Sequence, residues 1–95
     1  MPRFFFHLIE HGEITPDEEG STCPDLECAK IEAKNSALDI AQEAVASGRP
    51  PDGTCVEIRD GDGRVLAALT VAEVMRHPRA PQFDAACGLR GGILH

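Results

Sequence analysis

Residues 24–51 read PDLECAKIEAKNSALDIAQEAVASGRPP and predict one long helix over residues 25–47. Thr22 and Asp25, at capping-box spacing, both offer acceptors to the free N–H groups of its first turn. Gly48 suits the left-handed exit from a helix, and the proline pair that follows prevents continuation. One face of this helix is apolar and rich in alanine, which permits close packing on a sheet. Its members are Leu26, Ala29, Ala33, Ala37, Ile40, Ala41 and Ala44.

A second apolar stripe runs along the same helix beside the first. Ile31, Leu38 and Val45 recur every seven residues, with Lys30 and Lys34 between the two stripes. A single helix that covers a sheet needs only one apolar face, so the second stripe indicates a further contact surface. The alternative is that other parts of the chain cover it. The candidates for that cover are the connection 11–23 and the tail residues Phe83, Leu89 and Ile93.

The N-terminal residues 3–10 predict a β-strand that is largely apolar on both faces. Side chains alternate between the two faces of a strand. One face carries Phe4, Phe6 and Leu8, and the other carries Phe5, His7 and Ile9. Such a strand is expected at the centre of a sheet or covered on both sides.

A polar connection and a hairpin account for most of the remaining chain. Within the connection 11–23, Ile14 and Thr15 are candidates for a short returning strand. Residues 54–59 and 64–70 alternate as two strands, joined by Asp-Gly-Asp-Gly, which tolerates the positive φ of hairpin turns.

The register of this hairpin stays open. A two-residue loop pairs Ile58 with Val65, whereas a three-residue loop with a bulge at Gly63 pairs Ile58 with Leu66. After the hairpin, Thr70 and Glu73 stand at capping-box spacing and predict a short turn of helix through Met75.

These elements predict a small α+β domain in the order β(β)αββ. An antiparallel sheet of three or four strands would carry the long helix on one face. The 95 residues suffice for one domain, which we place at residues 1–76. Residues 77–95, interrupted by prolines and glycines, are predicted to form a flexible C-terminal tail.

The charge balance argues against several classes of partner. Nine basic and sixteen acidic residues give a formal net charge of −7. Nucleic-acid-binding surfaces are normally basic because phosphate neutralisation dominates affinity, so binding to DNA, RNA or an anionic membrane is not expected. No segment approaches the roughly 20 apolar residues of a membrane helix. The apolar start is broken by His7 and lacks a cleavage site, so we expect a cytoplasmic protein.

Metal and cofactor binding find no support in the spacing of residues. The four cysteines show no C-x-x-C pair, and reduced thiols are expected. His7 and His11 would lie about 13 Å apart along an extended strand. Cys23 and Cys28 straddle the helix start, with Cys28 on the polar face, and ordinary thiols are the favoured interpretation. The Asp-x-Asp-Gly at residues 60–63 lacks the later ligands of a calcium loop and is interpreted as a turn.

Catalytic constellations are equally scarce. The acidic residues 17–19 offer paired carboxylates, but nothing indicates burial, and a solvated loop is the favoured interpretation. No serine stands in a nucleophile elbow and no glycine-rich phosphate loop occurs. His7, in an apolar strand, is a candidate ligand-binding residue, although a hydrogen-bonded core or interface histidine is favoured. We predict no catalytic residue.

Three motifs of the chain resemble a family of small bacterial proteins of unknown function. They are PRFFFH at residues 2–7, similar to the PRYFFH start of the family; DEEG at 17–20 with PDL at 24–26; and VEIRD at 56–60 with DGRVL at 62–66. The likeness covers about residues 2–70. Cys23 and Cys28 depart from the small or apolar residues expected there, and the tail after Arg76 has no counterpart. The resemblance implies a common fold and no activity.

Two functional hypotheses follow. The leading one is a non-catalytic interaction module that forms a homodimer or binds a protein partner. Its predicted contact residues are Phe5, Ile9, Ile31, Leu38 and Val45. The alternative is a small-molecule binder or minor enzyme with a pocket near His7 and the acidic loop 17–19.

Overall fold

A computed structural model describes residues 1–50 and 52–87 of the chain. Five strands and two helices occur within this part. They are β1 (Arg3–Glu10), β2 (Glu13–Thr15), β3 (Ser21–Thr22), α1 (Leu26–Ser47), β4 (Thr54–Arg59), β5 (Val65–Thr70) and α2 (Val71–Arg76). Neither helix is long and apolar enough to span a lipid bilayer.

The strands form one antiparallel sheet in the order β2-β1-β4-β5, with β3 paired to the start of β1. The apolar strand β1 therefore lies inside the sheet, as its two apolar faces predict. The α+β class and the single long helix on the sheet are confirmed. The sheet has five strands rather than three or four, because the short β3 lies within the predicted polar connection.

Local signals define both ends of α1. The helix begins after Asp25, whose carboxylate accepts the backbone N–H of Cys28 at 2.9 Å. It ends at Gly48, where a φ of 74° takes the left-handed conformation that glycine adopts without steric cost. The second helix begins in the same way, because the Thr70 hydroxyl accepts the backbone N–H of Glu73 at 3.1 Å. The predicted cap at Thr70 is confirmed, whereas the Glu73 carboxylate accepts from the Gln82 backbone N–H and from Arg76.

The core lies between α1 and one face of the sheet. The alanine face of the helix is buried, and the small side chains let the helix approach the strands closely. Phe4 on β1, Ile58 on β4 and Leu69 on β5 are buried against it. The second helix closes one end with Val71 and Val74, both fully buried.

In the hairpin between β4 and β5, Ile58 takes neither of the two partners predicted for it. Arg59 pairs with Val65, but Ile58 pairs with Ala67, because a bulge between Ile58 and Arg59 shifts the ladder by one residue. The loop itself matches the three-residue alternative, with Gly63 at a φ of 85°. A bulge inserts one unpaired residue, and turn composition alone does not reveal it.

The described part of the predicted tail packs on the domain. Asp84 exchanges two backbone hydrogen bonds with Ala68 of β5, at 2.8 and 2.7 Å. Cys87 forms a disulfide with Cys55 of β4, so the expectation of reduced thiols is wrong for this pair. The pairing escaped prediction because 32 residues separate the two cysteines and only the fold brings them together. Residues 88–95 of the predicted tail lie outside the described residues.

Candidate functional site

The five predicted contact residues lie on two separate faces. Phe4, Phe6 and Leu8 pack into the core beneath α1, so the alternation of β1 turns Phe5 and Ile9 to the face of the sheet without the helix. Both are half-buried there. The other three predicted residues lie on α1, and the set therefore does not form one continuous surface.

The stripe on α1, defined by Ile31, Leu38 and Val45, remains largely open to solvent. Ile31 is 56% exposed and Val45 is 67% exposed, whereas Leu38 is half-buried at the edge of the core. Phe83 of the tail reaches the same end of the helix as Ile31 and lines a groove of about 430 Å³ with it. Phe83 nevertheless leaves Ile31 largely uncovered. The other two residues predicted to cover the stripe, Leu89 and Ile93, lie outside the described residues.

The acidic loop is anchored to β1 by Asp17. Residues 8–10 of β1 pair with β2 and residues 3–4 pair with β3, which leaves a gap between the two short strands. Within that gap the Asp17 carboxylate accepts the backbone N–H of Phe6 at 3.1 Å. It also accepts the backbone N–H groups of Glu19 at 3.3 Å and Gly20 at 3.1 Å. Asp17 thus completes the edge of the sheet.

These contacts explain why the pKa of Asp17 is lowered. Partial burial acts to raise the pKa of its carboxyl, but the hydrogen bonds from Phe6, Gly20 and Glu19 outweigh it and hold the pKa below the usual value. The neighbouring His7 accepts the backbone N–H of Asp17 at Nδ1, at 3.5 Å. Both side chains have partners within the fold, as the favoured interpretation of His7 expects. A role for His7 in ligand binding stays a prediction.

An ion pair between a buried carboxylate and a partly exposed arginine lies beside His7 on the helix-free face. Glu57 stands directly opposite His7 on β4 and is buried. Its Oε1 accepts hydrogen bonds from Nε and Nη2 of Arg59, at 2.8 and 2.6 Å. A buried carboxylate needs such a partner, because an unpaired charge would be costly to desolvate. The need to pair the buried Glu57 carboxylate therefore suffices to explain this ion pair.

One cleft of about 580 Å³ lies at the far end of β1 from the acidic loop. It is lined by Leu8, Glu10, His11, Glu13, Ile40, Glu43, Ala44, Arg49, Pro50 and Thr54. Neither His7 nor the acidic loop contributes to this cleft. A pocket beside His7, which the small-molecule alternative requires, stays a prediction.

A cluster of two thiols and a carboxylate lies where β3 leads into α1. The two Sγ atoms of Cys23 and Cys28 and a carboxylate oxygen of Glu32 all lie within 4.8 Å of one another. Cys23 Sγ donates to Oε2 of Glu32 at 3.6 Å. Burial, the Cys28 thiol and the Glu32 carboxylate raise the pKa of the Cys23 thiol to about 11. Both cysteines are free thiols.

Only part of this cluster could be predicted from the spacing of residues. Cys28 and Glu32 are four apart on a helix and so share one side, which was a readable signal. Cys23, however, precedes the helix, and its approach depends on how β3 enters the helix cap. The spacing lacks a C-x-x-C pair, which is why no metal site was predicted.

Comparison with known proteins places the whole sheet and α1 in one family. A family model, described as a domain of unknown function, matches residues 3–72, from the start of β1 into α2. A search of curated proteins returned no match, and a search of solved structures likewise returned none. The match agrees with the resemblance seen in the sequence. The chain therefore belongs to the family described as a domain of unknown function, DUF6894.

Proposed function

We propose that this protein is a non-catalytic interaction module that pairs with a second copy of itself through α1. The observation that carries the proposal is the exposure of Ile31 and Val45 on one line of the helix, at 56% and 67%. Large aliphatic side chains aligned in this way lose contact with water when a second apolar surface covers them.

The spacing of the stripe suits an antiparallel pair of helices. Ile31 and Val45 each lie seven residues, or two helical turns, from Leu38. A twofold axis beside Leu38 would place Ile31 of one copy against Val45 of the other, and the reverse contact would follow by symmetry. Ile31 and Val45 are about 21 Å apart along the axis at 1.5 Å per residue, so the contact would span most of α1.

A charge in the first turn of α1 and a charge just beyond its C-terminal Gly48 favour the same orientation. Glu27 lies eleven residues before Leu38 and Arg49 lies eleven residues after it, so an antiparallel pair brings them into opposition. The Glu27 side chain is 82% exposed and its ion pair with Lys30 is long, at 3.8 Å. Arg49 is also exposed. A parallel pair would instead oppose like charges at both ends, which is unfavourable.

The test is the oligomeric state of the full chain, measured by native mass spectrometry and by light scattering over a range of concentrations. The wild-type protein is expected to be a concentration-dependent dimer. Leu38→Asp should raise the dissociation constant at least about thirtyfold, the effect of a residue at the centre of an interface. Ile14→Asp is the matched control, because Ile14 is 53% exposed on β2, away from α1.

A charge exchange keeps the proposal testable if Leu38→Asp fails to fold. Glu27→Arg and Arg49→Glu should each weaken the dimer about two- to fivefold, as expected for an exposed ion pair. The double variant should restore wild-type affinity. A wild-type protein that stays monomeric at high concentration would contradict the proposal. So would a folded Leu38→Asp variant with an unchanged dimer affinity.

A further inference from the structure

The thiol cluster of Cys23, Cys28 and Glu32 has the composition of a metal site. Thiolate sulfur and carboxylate oxygen are both common ligands of zinc, and thiolates in particular favour zinc over magnesium or calcium. Three protein ligands with a fourth position left to water is a recurrent arrangement for this ion. The family model supplies no role for these residues, and self-association through α1 does not involve them.

The backbone holds both cysteines firmly in place. Cys23 is fully buried, and its backbone N–H donates to the carbonyl of Pro2 at 3.1 Å, which ties it to the start of β1. Cys28 lies in the first turn of α1, where its backbone N–H donates to the Asp25 cap. Metal ligands on such ordered elements need little reorganisation before an ion binds.

The distances are close to those that a tetrahedral ion requires. Bonds of about 2.3 Å to sulfur and about 2.0–2.2 Å to oxygen place tetrahedral ligand atoms roughly 3.5–3.8 Å apart. The three ligand atoms already lie within 4.8 Å of one another. Glu32 is exposed, so its side chain is able to rotate and close the remaining distance. The exposed carboxylate also provides a route for the ion from solvent.

We propose that Cys23, Cys28 and Glu32 bind one zinc ion, with the fourth position open to water. Both thiols release their protons to the solvent as the ion binds. The ion then offsets most of the negative charge of two thiolates and a carboxylate, which would otherwise repel one another. The inference is independent of self-association, and either proposal is able to fail without the other.

The probe is Co²⁺, followed by displacement with Zn²⁺, on the untagged full chain with the Cys55–Cys87 disulfide intact. Alkylation of metal-free protein should first count two free thiols per chain. The expected result is one Co²⁺ per chain, with a thiolate-to-metal charge-transfer band and the visible bands of tetrahedral Co²⁺. Added Zn²⁺ should abolish both and protect Cys28 from alkylation.

Three variants separate a built site from adventitious binding. Cys28→Ser should weaken Zn²⁺ binding at least about 10- to 100-fold, since loss of even an outer partner has that effect. Glu32→Gln should weaken binding and keep the charge-transfer band, because both thiolates remain. Glu43→Gln, also exposed on α1, is the matched control and should bind like wild type.

Two results would overturn the proposal. One is equal Zn²⁺ affinity in wild type and Cys28→Ser without a charge-transfer band, which would assign the binding to scattered surface groups. The other is metal-free protein that, handled without air, has a mass two hydrogens lower and no free thiol. That mass would show Cys23 and Cys28 joined in a second disulfide.

Discussion

Two pairs of cysteines in this small domain have different chemistry. Cys55 and Cys87 are 32 residues apart and form a disulfide that joins β4 to the described end of the tail. Cys23 and Cys28 are five apart, remain free thiols and share their surroundings with Glu32. Proximity in the chain therefore does not decide which cysteines are bonded. The fold decides it, by bringing Cys55 and Cys87 to a Cα–Cα distance of 6.0 Å.

The two cysteine pairs also differ in how they relate to the stability of the folded chain. A disulfide acts on the unfolded chain, by closing a loop and reducing its conformational entropy. A thiol pair beside a carboxylate adds no such constraint and is stabilised chiefly by keeping its protons or by binding a cation. The two pairs should consequently respond differently to reductant, pH and substitution.

The largest expected effect is the loss of the disulfide. Cys87→Ser should lower the free energy of unfolding by about 3–4 kcal/mol, the loop-entropy value for a separation of 32 residues. Urea unfolding followed by circular dichroism measures it. Reductant should bring the wild type to the stability of the variant and leave the variant itself unchanged. If both proteins are equally stable without reductant, the disulfide does not constrain the unfolded chain.

A smaller effect is expected from the helix cap that positions Cys28. Asp25→Ala removes the acceptor of the Cys28 backbone N–H and should lower the free energy of unfolding by about 1 kcal/mol. It should also speed alkylation of the Cys28 thiol. Thr70→Ala is the matched control, because it removes the cap of α2 and should leave the alkylation rate unchanged. An unaltered rate in Asp25→Ala would show that the cap does not hold the thiol.

The last effect is confined to alkaline pH and arises from the free pair of thiols. Because the pKa of Cys23 rises from 9.0 to about 11 on folding, the folded chain holds this proton more tightly than the unfolded chain. The resulting stability is fully present below pH 9 and is lost as the pH rises towards 11. Thermal unfolding in a chelator should show this decline in wild type and less of it in Cys23→Ser. The Cys55–Cys87 disulfide does not titrate, so an identical decline in both proteins would exclude Cys23 as its source.

Local sequence signals account for much of the fold. The ends of α1 follow from the Asp25 carboxylate and the left-handed Gly48, both of which act within one helical turn. The central position of β1 follows from its two apolar faces, and the start of α2 from Thr70, whose hydroxyl accepts the backbone N–H of Glu73. Each of these signals concerns groups close together in the chain, where geometry is nearly independent of the remaining structure.

The candidate sites were harder to predict from local sequence signals. The stripe of Ile31, Leu38 and Val45 is visible as a seven-residue repeat, and its exposure agrees with the expected surplus of apolar surface. The role of Asp17 was missed, because its carboxylate fills a gap in the sheet edge that exists only once β2 and β3 have paired with β1. The approach of Cys23 to Glu32 was missed, because Cys23 precedes the helix and reaches Glu32 only where β3 leads into α1.

Patterns of residues a few positions apart thus predict the helix limits, the strand alternation and the overall fold class, because helix and strand periodicity make neighbours interact predictably. Such patterns do not predict three other features: the shifted hairpin register, the Cys55–Cys87 bond and the approach of Cys23 to Glu32. Each depends on segments that approach only when the sheet forms and α1 packs on it. Such contacts are selected by the packing of the whole domain, in which a shift of one residue moves every side chain to another face.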